Sequence, residues 1–317
     1  MSLKICTIGG GSGQPPVLVG LLKLFHDLDC EINAVVGTWD NGGSSGKLRD
    51  LYGVMPPGDI LKNIMALTPP ENRKISEYLL RRFDRKFPKL YEHNTGNMIL
   101  TAFEKHMGIV PAIRALENLL ECKGRVYPVT NCDTNLMAEM TRVKAVTVTS
   151  EKEIEDRLLA NYRITKLWVE PETKDLPALD ALDKADVLII SPGSIFTSII
   201  PHFTIDEIRT ACKKIKTKII VANLVDRHFD TEDYINNIGS WSRIEPTHMI
   251  FNSTKVINSK YELDKYKQIT ICDDKEIHGI KCITRPVLKM NDKLLRHDPK
   301  RTAAAIIEIL SKEKVII

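Results

Sequence analysis

The stretch that decides the fold of this chain is Val187-Leu188-Ile189-Ile190, followed at once by Ser191-Pro192-Gly193-Ser194. A continuously apolar strand is typical of a parallel sheet, because helices then cover both of its faces. The small residues that follow predict a tight turn, and apolar positions at helical spacing over Ile205–Ile215 predict the next helix. This part of the chain is therefore predicted to be a strand–turn–helix unit at the centre of a sheet.

The same order of elements opens the chain. The apolar run Leu3–Ile8 ends in Gly9-Gly10-Gly11-Ser12-Gly13, and apolar residues at helical spacing then extend to Phe25. A second strand is predicted over Ile32–Val36, again before a glycine-rich stretch. Strands that alternate with helices indicate a mainly parallel sheet with right-handed crossovers. Ligands of such sheets bind beyond the carboxyl ends of the strands, where these glycine-rich loops lie.

The fold class that we predict is α/β, with a doubly wound, mainly parallel sheet between helical layers. Residues 125–148 lack helical periodicity and contain turn residues, which predicts a small insertion of short antiparallel strands. A length of 317 residues suits one large domain with an insertion, or one domain plus a small second one. We predict a single domain over 1–317. Further elements are expected as strands over Ile164–Val169, Lys218–Asn223, Met249–Phe251 and Ile269–Cys272, and as helices over Ile60–Leu67, Ile75–Phe83, Met98–His106, Pro111–Leu120, Pro177–Leu182 and Pro299–Leu310.

Composition narrows the class of protein. Lysine and arginine total 45 against 41 acidic residues, a formal charge of +4, and the basic residues are scattered. Nucleic acid is therefore not an expected partner. The seven cysteines show no metal-binding spacing, and we expect buried, reduced thiols. No apolar run reaches the ~18 residues of a membrane span, and no signal-peptide pattern is evident, so we expect a cytoplasmic protein without membrane insertion.

The first glycine loop predicts a phosphate site formed by Gly10, Gly11, Ser12 and Gly13. Glycine brings backbone N–H groups close to an anion, and the following helix presents its positive end. Position 14 is Gln, where the G-x-G-x-x-G pattern requires glycine, which disfavours a dinucleotide site and a dehydrogenase. The alternative is a tight turn that binds nothing.

The second glycine stretch is Asp40-Asn41-Gly42-Gly43-Ser44-Ser45-Gly46-Lys47, and it is not a Walker motif. Asn41 and Leu48 stand where that motif requires glycine and Ser or Thr. We interpret the stretch as an anion nest, with hydroxyls from its serines and positive charge from Lys47 or Arg49. Asp40 is predicted to accept hydrogen bonds from ribose or sugar hydroxyls or to hold a divalent cation, with an Asx-turn as the alternative.

Two further polar stretches precede predicted helices. Asp59, in Pro56-Pro57-Gly58-Asp59, is either an N-cap or a carboxylate directed at the strand ends, and Asn63 shares its helical face. His93-Asn94-Thr95-Gly96-Asn97 suits the recognition of a base or sugar, with a capped helix start as the alternative. A single histidine in this position is weak evidence for acid–base chemistry.

Two later stretches complete the set of candidate residues. Ser194 and Ser198 follow the central strand, and we predict hydrogen-bonding roles for them. Arg296 precedes the last helix, where Asp298 is predicted to be the N-cap and Pro299 the first helical residue. A guanidinium at such a helix entrance can form a two-pronged contact with a phosphate.

These motifs together resemble one known family. The sequence is similar to the gluconeogenesis-factor (YvcK-like) proteins, within the superfamily that includes the 2-phospho-L-lactate transferase CofD. The similar segments run in order over nearly the whole chain: Ile8–Gly13, Asp40–Gly46, Pro56–Asp59, Thr95–Asn97, Gly124–Val126, Pro192–Ser194, Thr197–Pro201, Asn223-Leu224 and Arg296–Asp298.

The resemblance implies a Rossmann-like fold that binds a UDP-sugar at these loops, Asn223 included. It also implies a role in balancing central carbon metabolism with cell-wall growth and cell shape, and a homodimer or larger homo-oligomer is expected. The chain departs from the family's usual pattern over 225–232, a loop that borders the expected pocket. Phosphorylation of the last helix is not expected, because Pro299 stands where some relatives have threonine.

Two functions from different classes remain open at this stage. The first is a non-enzymatic nucleotide-sugar sensor, in which no residue is catalytic. The second is a transferase that uses a nucleotide-diphosphate donor, with Asp40 and Asp59 holding Mg²⁺.

Overall fold

A computed structural model describes residues 2–24, 29–256, 265–289 and 295–316. It divides into two compact units, Met1–Ile32 with Ala181–Ile317, and Asn33–Asp180. Among the described residues, no helix combines the length and the hydropathy that a membrane span needs.

The secondary structure is named in chain order. The strands are β1 (Leu3–Gly9), β2 (Cys30–Val36), β3 (Arg125–Pro128), β4 (Asn135–Thr141), β5 (Ala145–Thr149), β6 (Arg163–Glu170), β7 (Val187–Ile190), β8 (Thr217–Val221), β9 (Val225–Asp226), β10 (His248–Asn252), β11 (Lys267–Gln268), β12 (Lys275–Ile277) and β13 (Ile280–Arg285). The α-helices are α1 (Gln14–Leu24), α2 (Gly43–Tyr52), α3 (Pro57–Ala66), α4 (Arg73–Leu80), α5 (Thr95–Met107), α6 (Ile109–Leu119), α7 (Glu151–Leu159), α8 (Leu179–Asp183), α9 (Ile200–Thr204), α10 (Asp206–Lys214), α11 (Thr231–Ser242) and α12 (Pro299–Lys312).

The first unit is built on a parallel sheet. β1 pairs with β7, β7 with β8, β8 with β10, and β10 with β13, all in parallel, and β12 adds an antiparallel edge. Every residue of β7 is buried, as its apolar sequence predicts. Ile8, Ile190 and Ile220 lie in register on neighbouring strands. The loops that follow these strands therefore begin at the same level of one sheet edge.

Helices flank this sheet, and α1 packs against α12. The Cα of Gly20 faces α12 so closely that an ideal Cβ there would lie 2.0 Å from the carbonyl oxygen of Pro299. Asp298 caps α12 by accepting from the backbone N–H of Arg301, and Pro299 is the first helical residue, as predicted. The α/β fold class is confirmed.

The second unit combines helices α2 to α7 with two small strand groups. β2 and β3 pair in parallel, whereas β5, β4 and β6 form an antiparallel sheet. Of the short antiparallel strands predicted over 125–148, β4 and β5 are confirmed, whereas β3 pairs in parallel with β2. The strand predicted over Ile164–Val169 was expected to resume the α/β alternation, but it forms β6 of the antiparallel sheet. The domain organisation over 1–317 stays a prediction.

Several other local predictions were wrong in detail. The sequence analysis did not predict α2, α7 or α11, although Tyr234, Ile235 and Ile238 of α11 stand at helical spacing. The strand predicted over Ile269–Cys272 lies earlier, at Lys267–Gln268, and the helix predicted over Ile75–Phe83 ends at Leu80. Phe25 lies outside the described residues. All the cysteines are free, but Cys272 is exposed and only Cys6, Cys212 and Cys282 are buried.

We expect Gly20→Ala to destabilise the protein by about 1–3 kcal/mol, because the new methyl group overlaps the backbone of α12. That loss outweighs the gain of up to ~1 kcal/mol in helix propensity. Urea denaturation measures the change, with Gly239→Ala in α11 as the control, since nothing lies within 4 Å of an added Cβ there. A Gly20→Ala protein as stable as the control variant would contradict this account of the contact.

Candidate functional site

The predicted site residues fall into two groups, one in each unit. The first unit contains the 9–13 loop, Gly193, Ser194, Ser198, Asn223 and Arg296. The second contains the 40–45 stretch, Asp59, Asn63, Thr95, Gly96 and Asn97. Each group is described by itself.

In the first unit, the loops after β1 and β7 lie against each other. An ideal Cβ on Gly13 would lie 1.8 Å from the carbonyl oxygen of Pro192, so only glycine fits at this position. Ser12 is exposed and Gly10 is half-buried, and both belong to the loop that directly precedes the amino terminus of α1. Contact with the loop after β7 thus positions the 9–13 loop at the start of α1, where a phosphate could be bound through backbone N–H groups.

Asn223 fixes the loop after β7. Its Oδ1 accepts from the backbone N–H of Gly193 at 2.8 Å, and its Nδ2 donates to the carbonyl oxygen of Gly193 at 2.8 Å. The phenol oxygen of Tyr234 accepts from the backbone N–H of Asn223 at 3.2 Å. The Asn223 side chain therefore holds the loop after β7 in place, because both ends of its amide are bonded to the backbone of Gly193.

Gln14 plays a comparable part at the end of β1. Its Nε2 donates to Thr7 through the backbone carbonyl at 3.2 Å and through the hydroxyl at 2.8 Å, and both residues are fully buried. Gln14, which stands where the dinucleotide-binding pattern requires glycine, thus links β1 to the start of α1.

The three residues of the Arg296-His297-Asp298 motif lie in different environments. Arg296 is exposed, and Asp298 caps α12. His297 is 6% exposed, and its Nε2 lies 3.1 Å from the carbonyl oxygen of Ala222, directly before Asn223. Burial lowers the pKa of His297 to about 4, so the ring is neutral and donates to that carbonyl. Sequence reasoning missed this anchor, since nothing local shows that position 297 meets position 222.

In the second unit, Asp40 lies at the centre of a group of polar contacts. Asp40 Oδ1 accepts from the backbone N–H of Gly42 at 2.9 Å, which is the predicted Asx-type contact. A hydrogen bond from Ser45 also reaches Asp40, and Ser45 Oγ accepts from the backbone N–H of Gly58 at 3.1 Å. Burial, and then the charge of Asp59, raise the pKa of Asp40.

Glu151, in the first turn of α7, belongs to the same carboxylate group and was missed. Burial raises its pKa well above the usual range, and the charges of Asp40 and Asp59 raise it further. Lys62 opposes this effect and forms an ion pair with Asp59 at 3.0 Å. The local balance is acidic, which suits hydroxyl-bearing ligands or a cation more than a bare phosphate.

The positive charge expected from Lys47 or Arg49 at the 40–46 stretch stays a prediction, and both side chains have partners within the protein. Lys47 pairs with Glu92 at 2.5 Å. Arg49 is 7% exposed, donates to the carbonyl oxygens of Asp40 and Thr134, and pairs with Asp133 at 2.7 Å. Both cations are therefore used for structure.

The start of α3 also differs from the predicted N-cap. The N-cap is Pro56, and Asp59 lies inside the first turn of the helix without capping it. Asn63 is fully buried one turn later, and its Nδ2 donates to the carbonyl oxygen of Asp59 at 2.8 Å.

The 93–97 stretch brings three polar side chains together. Asn94 caps α5 by accepting from the backbone N–H of Asn97, as the capped-start alternative predicts. Ser44 Oγ lies 2.8 Å from Nδ1 of His93 and accepts from Nδ2 of Asn97 at 3.1 Å. Thr95 and Gly96 form the first turn of α5. The contact between Ser44 and His93 could not be seen in the sequence.

Two carboxylates of the second unit offer oxygen donors to a metal ion. Asp40 and Asp59 supply the carboxylate oxygens that Mg²⁺ prefers, although one oxygen of Asp59 is paired with Lys62. Within the described ranges, no group of three or more His, Cys, Asp or Glu side chains is arranged to hold a metal ion.

A mainly parallel sheet with small-residue loops at its carboxyl edge defines an α/β protein of the Rossmann-like class. The chain belongs to the CofD family, described as 2-phospho-L-lactate transferase CofD, which it matches over residues 5–288.

Relatives and solved structures agree with this membership. The gluconeogenesis factor of Listeria innocua is 31% identical over 97% of this chain and 95% of its own length. The gluconeogenesis factor of Bacillus subtilis is 28% identical over 98% of both chains. The crystal structure of a UPF0052-family protein from Bacillus halodurans superposes with a TM-score of 0.84 at 26% identity, covering 97% of this chain and 100% of that one.

We expect Asn223→Asp to destabilise the protein by about 1–3 kcal/mol, because the carboxylate places an acceptor against the carbonyl oxygen of Gly193. Chemical denaturation measures the loss. Asn236→Asp, the same change at an exposed position of α11, is the control and is expected to have little effect. Equal stabilities of the two variants would show that the Asn223 amide does not hold the loop.

The pH dependence of stability tests His297. Its folded-state pKa of about 4 lies below the unfolded value of about 6.5. As the pH is lowered, the unfolded chain therefore binds the proton before the folded protein does. The free energy of unfolding falls as the pH drops from 6.5 to 4, and His297 accounts for about 3 kcal/mol of this loss at most. His297→Gln keeps a donor for Ala222 without titrating, so its free energy of unfolding should fall less steeply over this range. If the free energy of unfolding of His297→Gln fell with pH as steeply as that of the unmodified protein, the lowered pKa of His297 would be contradicted. Burial also lowers the pKa of His202 to about 4, but this effect is the same in both proteins.

Proposed function

We propose that this protein is a regulatory nucleotide-sugar-binding protein of the gluconeogenesis-factor type, with a UDP-sugar as its ligand. Its role would be to link central carbon metabolism with cell-wall synthesis and cell shape. The observation on which the proposal depends is the pair of packed loops 9–13 and 191–194, which stand before a helix start and are locked by Asn223.

Each of the two groups, taken by itself, has a chemistry that suits one class of ligand group. Glycine-rich loops before α1 suit a diphosphate through backbone N–H groups. The carboxylates of Asp40, Asp59 and Glu151 suit hydroxyl donors, such as those of a sugar or ribose.

The names of the relatives support the regulatory part of the proposal, since the Listeria and Bacillus proteins are called gluconeogenesis factors. The free cysteines suit a reducing compartment, and we place the protein in the cytoplasm as a homo-oligomer.

The alternative is a transferase that uses a nucleotide-diphosphate donor, which the family description favours. In that case Asp40 and Asp59 would hold Mg²⁺, which would neutralise the charge of the leaving diphosphate. The acidic group formed with Glu151 is the observation that favours this function.

Isothermal titration of UDP-N-acetylglucosamine, UDP and GDP, with Mg²⁺ and with EDTA, separates the two functions. We expect the UDP-sugar to bind in EDTA and Arg296→Ala to weaken binding about tenfold or more, because a charge-assisted bond to phosphate is lost. Lys300→Ala, the same charge change at another exposed position, is the control. Failure of every UDP-sugar to bind at millimolar concentration would exclude the sensor.

Binding of a diphosphate nucleotide only with Mg²⁺ would favour the transferase. For that function, Asp59→Asn should abolish turnover and leave nucleotide binding largely intact.

A further inference from the structure

Helix α4 presents its apolar side chains to solvent. Ser76 is the only buried residue of α4, whereas Ile75 is 51% and Tyr78 is 70% exposed. Ile75 and Tyr78 are three positions apart and therefore lie on one face of the helix. A surface helix of a globular protein normally turns its apolar face inward, so the reversed arrangement indicates a surface that contacts another molecule.

The chain that follows α4 continues this apolar surface. Phe87 is 53% and Tyr91 is 38% exposed. The ring of Phe87 meets that of Phe83 edge to face, with centroids 5.8 Å apart, and the guanidinium of Arg85 lies 5.8 Å from the ring centroid of Tyr91. Aromatic and cationic side chains thus share one small surface.

Hydrogen-bonded turns hold these side chains in their exposed positions. The backbone N–H of Phe87 donates to the carbonyl oxygen of Asp84 at 3.1 Å, and that of Leu90 donates to Phe87 at 2.9 Å. Asp84 Oδ1 also accepts from the backbone N–H of Lys86 at 2.8 Å. The exposure of Phe87 is therefore a property of the folded segment.

The segment over 73–91 is also basic, in contrast to the scatter of cations over the chain as a whole. Its acidic residues are Glu77 and Asp84, whereas seven residues are Lys or Arg: Arg73, Lys74, Arg81, Arg82, Arg85, Lys86 and Lys89. Its positive excess is thus larger than that of the whole chain, which is +4. All of these cations except Arg73 are exposed.

We propose that the 73–91 segment docks the protein reversibly on a membrane surface that carries anionic lipid headgroups. The exposed cations contact the lipid phosphates, and Tyr78 and Phe87 enter the interfacial layer, where aromatic rings are favoured. A cluster of about four to eight basic residues on an amphipathic helix is typical of such a contact. This surface is independent of the ligand and of the proposed function.

The shape and the aliphatic residues of the segment favour lipid over nucleic acid or an acidic protein. Every residue from Asp84 to Lys89 is exposed, so this part protrudes instead of lining a cleft for a partner's side chains. Nucleic-acid phosphates would use the cations but leave Ile75 and Leu80 in water, whereas the lipid interface accepts apolar groups beside cations.

Co-sedimentation of the full chain with lipid vesicles tests the docking. We expect binding to vesicles that contain phosphatidylglycerol at low ionic strength, and at least about tenfold weaker binding to pure phosphatidylcholine. Binding should fall in about 1 M salt, where the Debye length is only about 3 Å.

The cations are tested by a variant that combines Lys86→Glu with Lys89→Glu. We expect its binding to anionic vesicles to fall at least about tenfold, since attraction to the headgroups is replaced by repulsion. The matched control combines Lys216→Glu with Lys300→Glu, the same change in charge at two exposed lysines of the other unit, and should bind within a few-fold of the unmodified protein.

The apolar contact is tested by Phe87→Ala, which should weaken binding several-fold because the ring no longer leaves water. Leu119→Ala removes another exposed apolar side chain, 65% exposed at the end of α6, and should leave binding unchanged. Circular dichroism and thermal denaturation establish that the variants are folded.

Failure to bind anionic vesicles at low ionic strength would overturn the proposal, as would equal losses in the Lys86/Lys89 variant and its control. Equal binding by Phe87→Ala and the unmodified protein would overturn the apolar contact. If the protein bound a double-stranded oligonucleotide or polyglutamate through Lys86 and Lys89 but bound no vesicles, the segment would belong to that partner and the membrane assignment would be wrong.

Discussion

The complete burial of β7 is the constraint on which the rest of the first unit depends. A strand without a polar side chain must have partners on both edges and helices over both faces, since any exposed face would cost free energy. Parallel pairing with β1 and β8 follows, and it aligns Ile8, Ile190 and Ile220. Three loops therefore start at the same sheet edge, which is where an α/β fold builds its binding site.

Polar side chains convert that edge into a rigid surface. Gln14 ties β1 to α1, Asn223 bonds both polar atoms of the Gly193 backbone, and His297 holds the carbonyl oxygen of Ala222. Each of these side chains has a role within the protein that leaves backbone groups for a ligand. A site that is held in place before binding spends less of its interaction free energy on ordering its loops.

The second unit provides a different chemistry. Burial, and then the charges of neighbouring carboxylates, raise the pKa values of Asp40 and Glu151. Lys47 pairs with Glu92, and Arg49 bonds both Asp133 and the carbonyl oxygen of Asp40. Burial lowers the pKa of His93, whose Nδ1 lies 2.8 Å from Ser44 Oγ. Carboxylates and polar side chains therefore lie together in this unit, whereas the first unit presents glycine-rich loops.

The sequence by itself determined the elements whose signal is local. The apolar run of β7, the glycine loop before α1 and the Asp298-Pro299 start of α12 each follow from burial or capping within a few residues. Only the tertiary structure decided which polar residues meet. Ser44 contacts His93, and Asn223 contacts Gly193, across 49 and 30 positions of the chain. Such partners depend on how the elements pack, because hydrogen bonds act over about 3 Å in space and leave no pattern along the sequence.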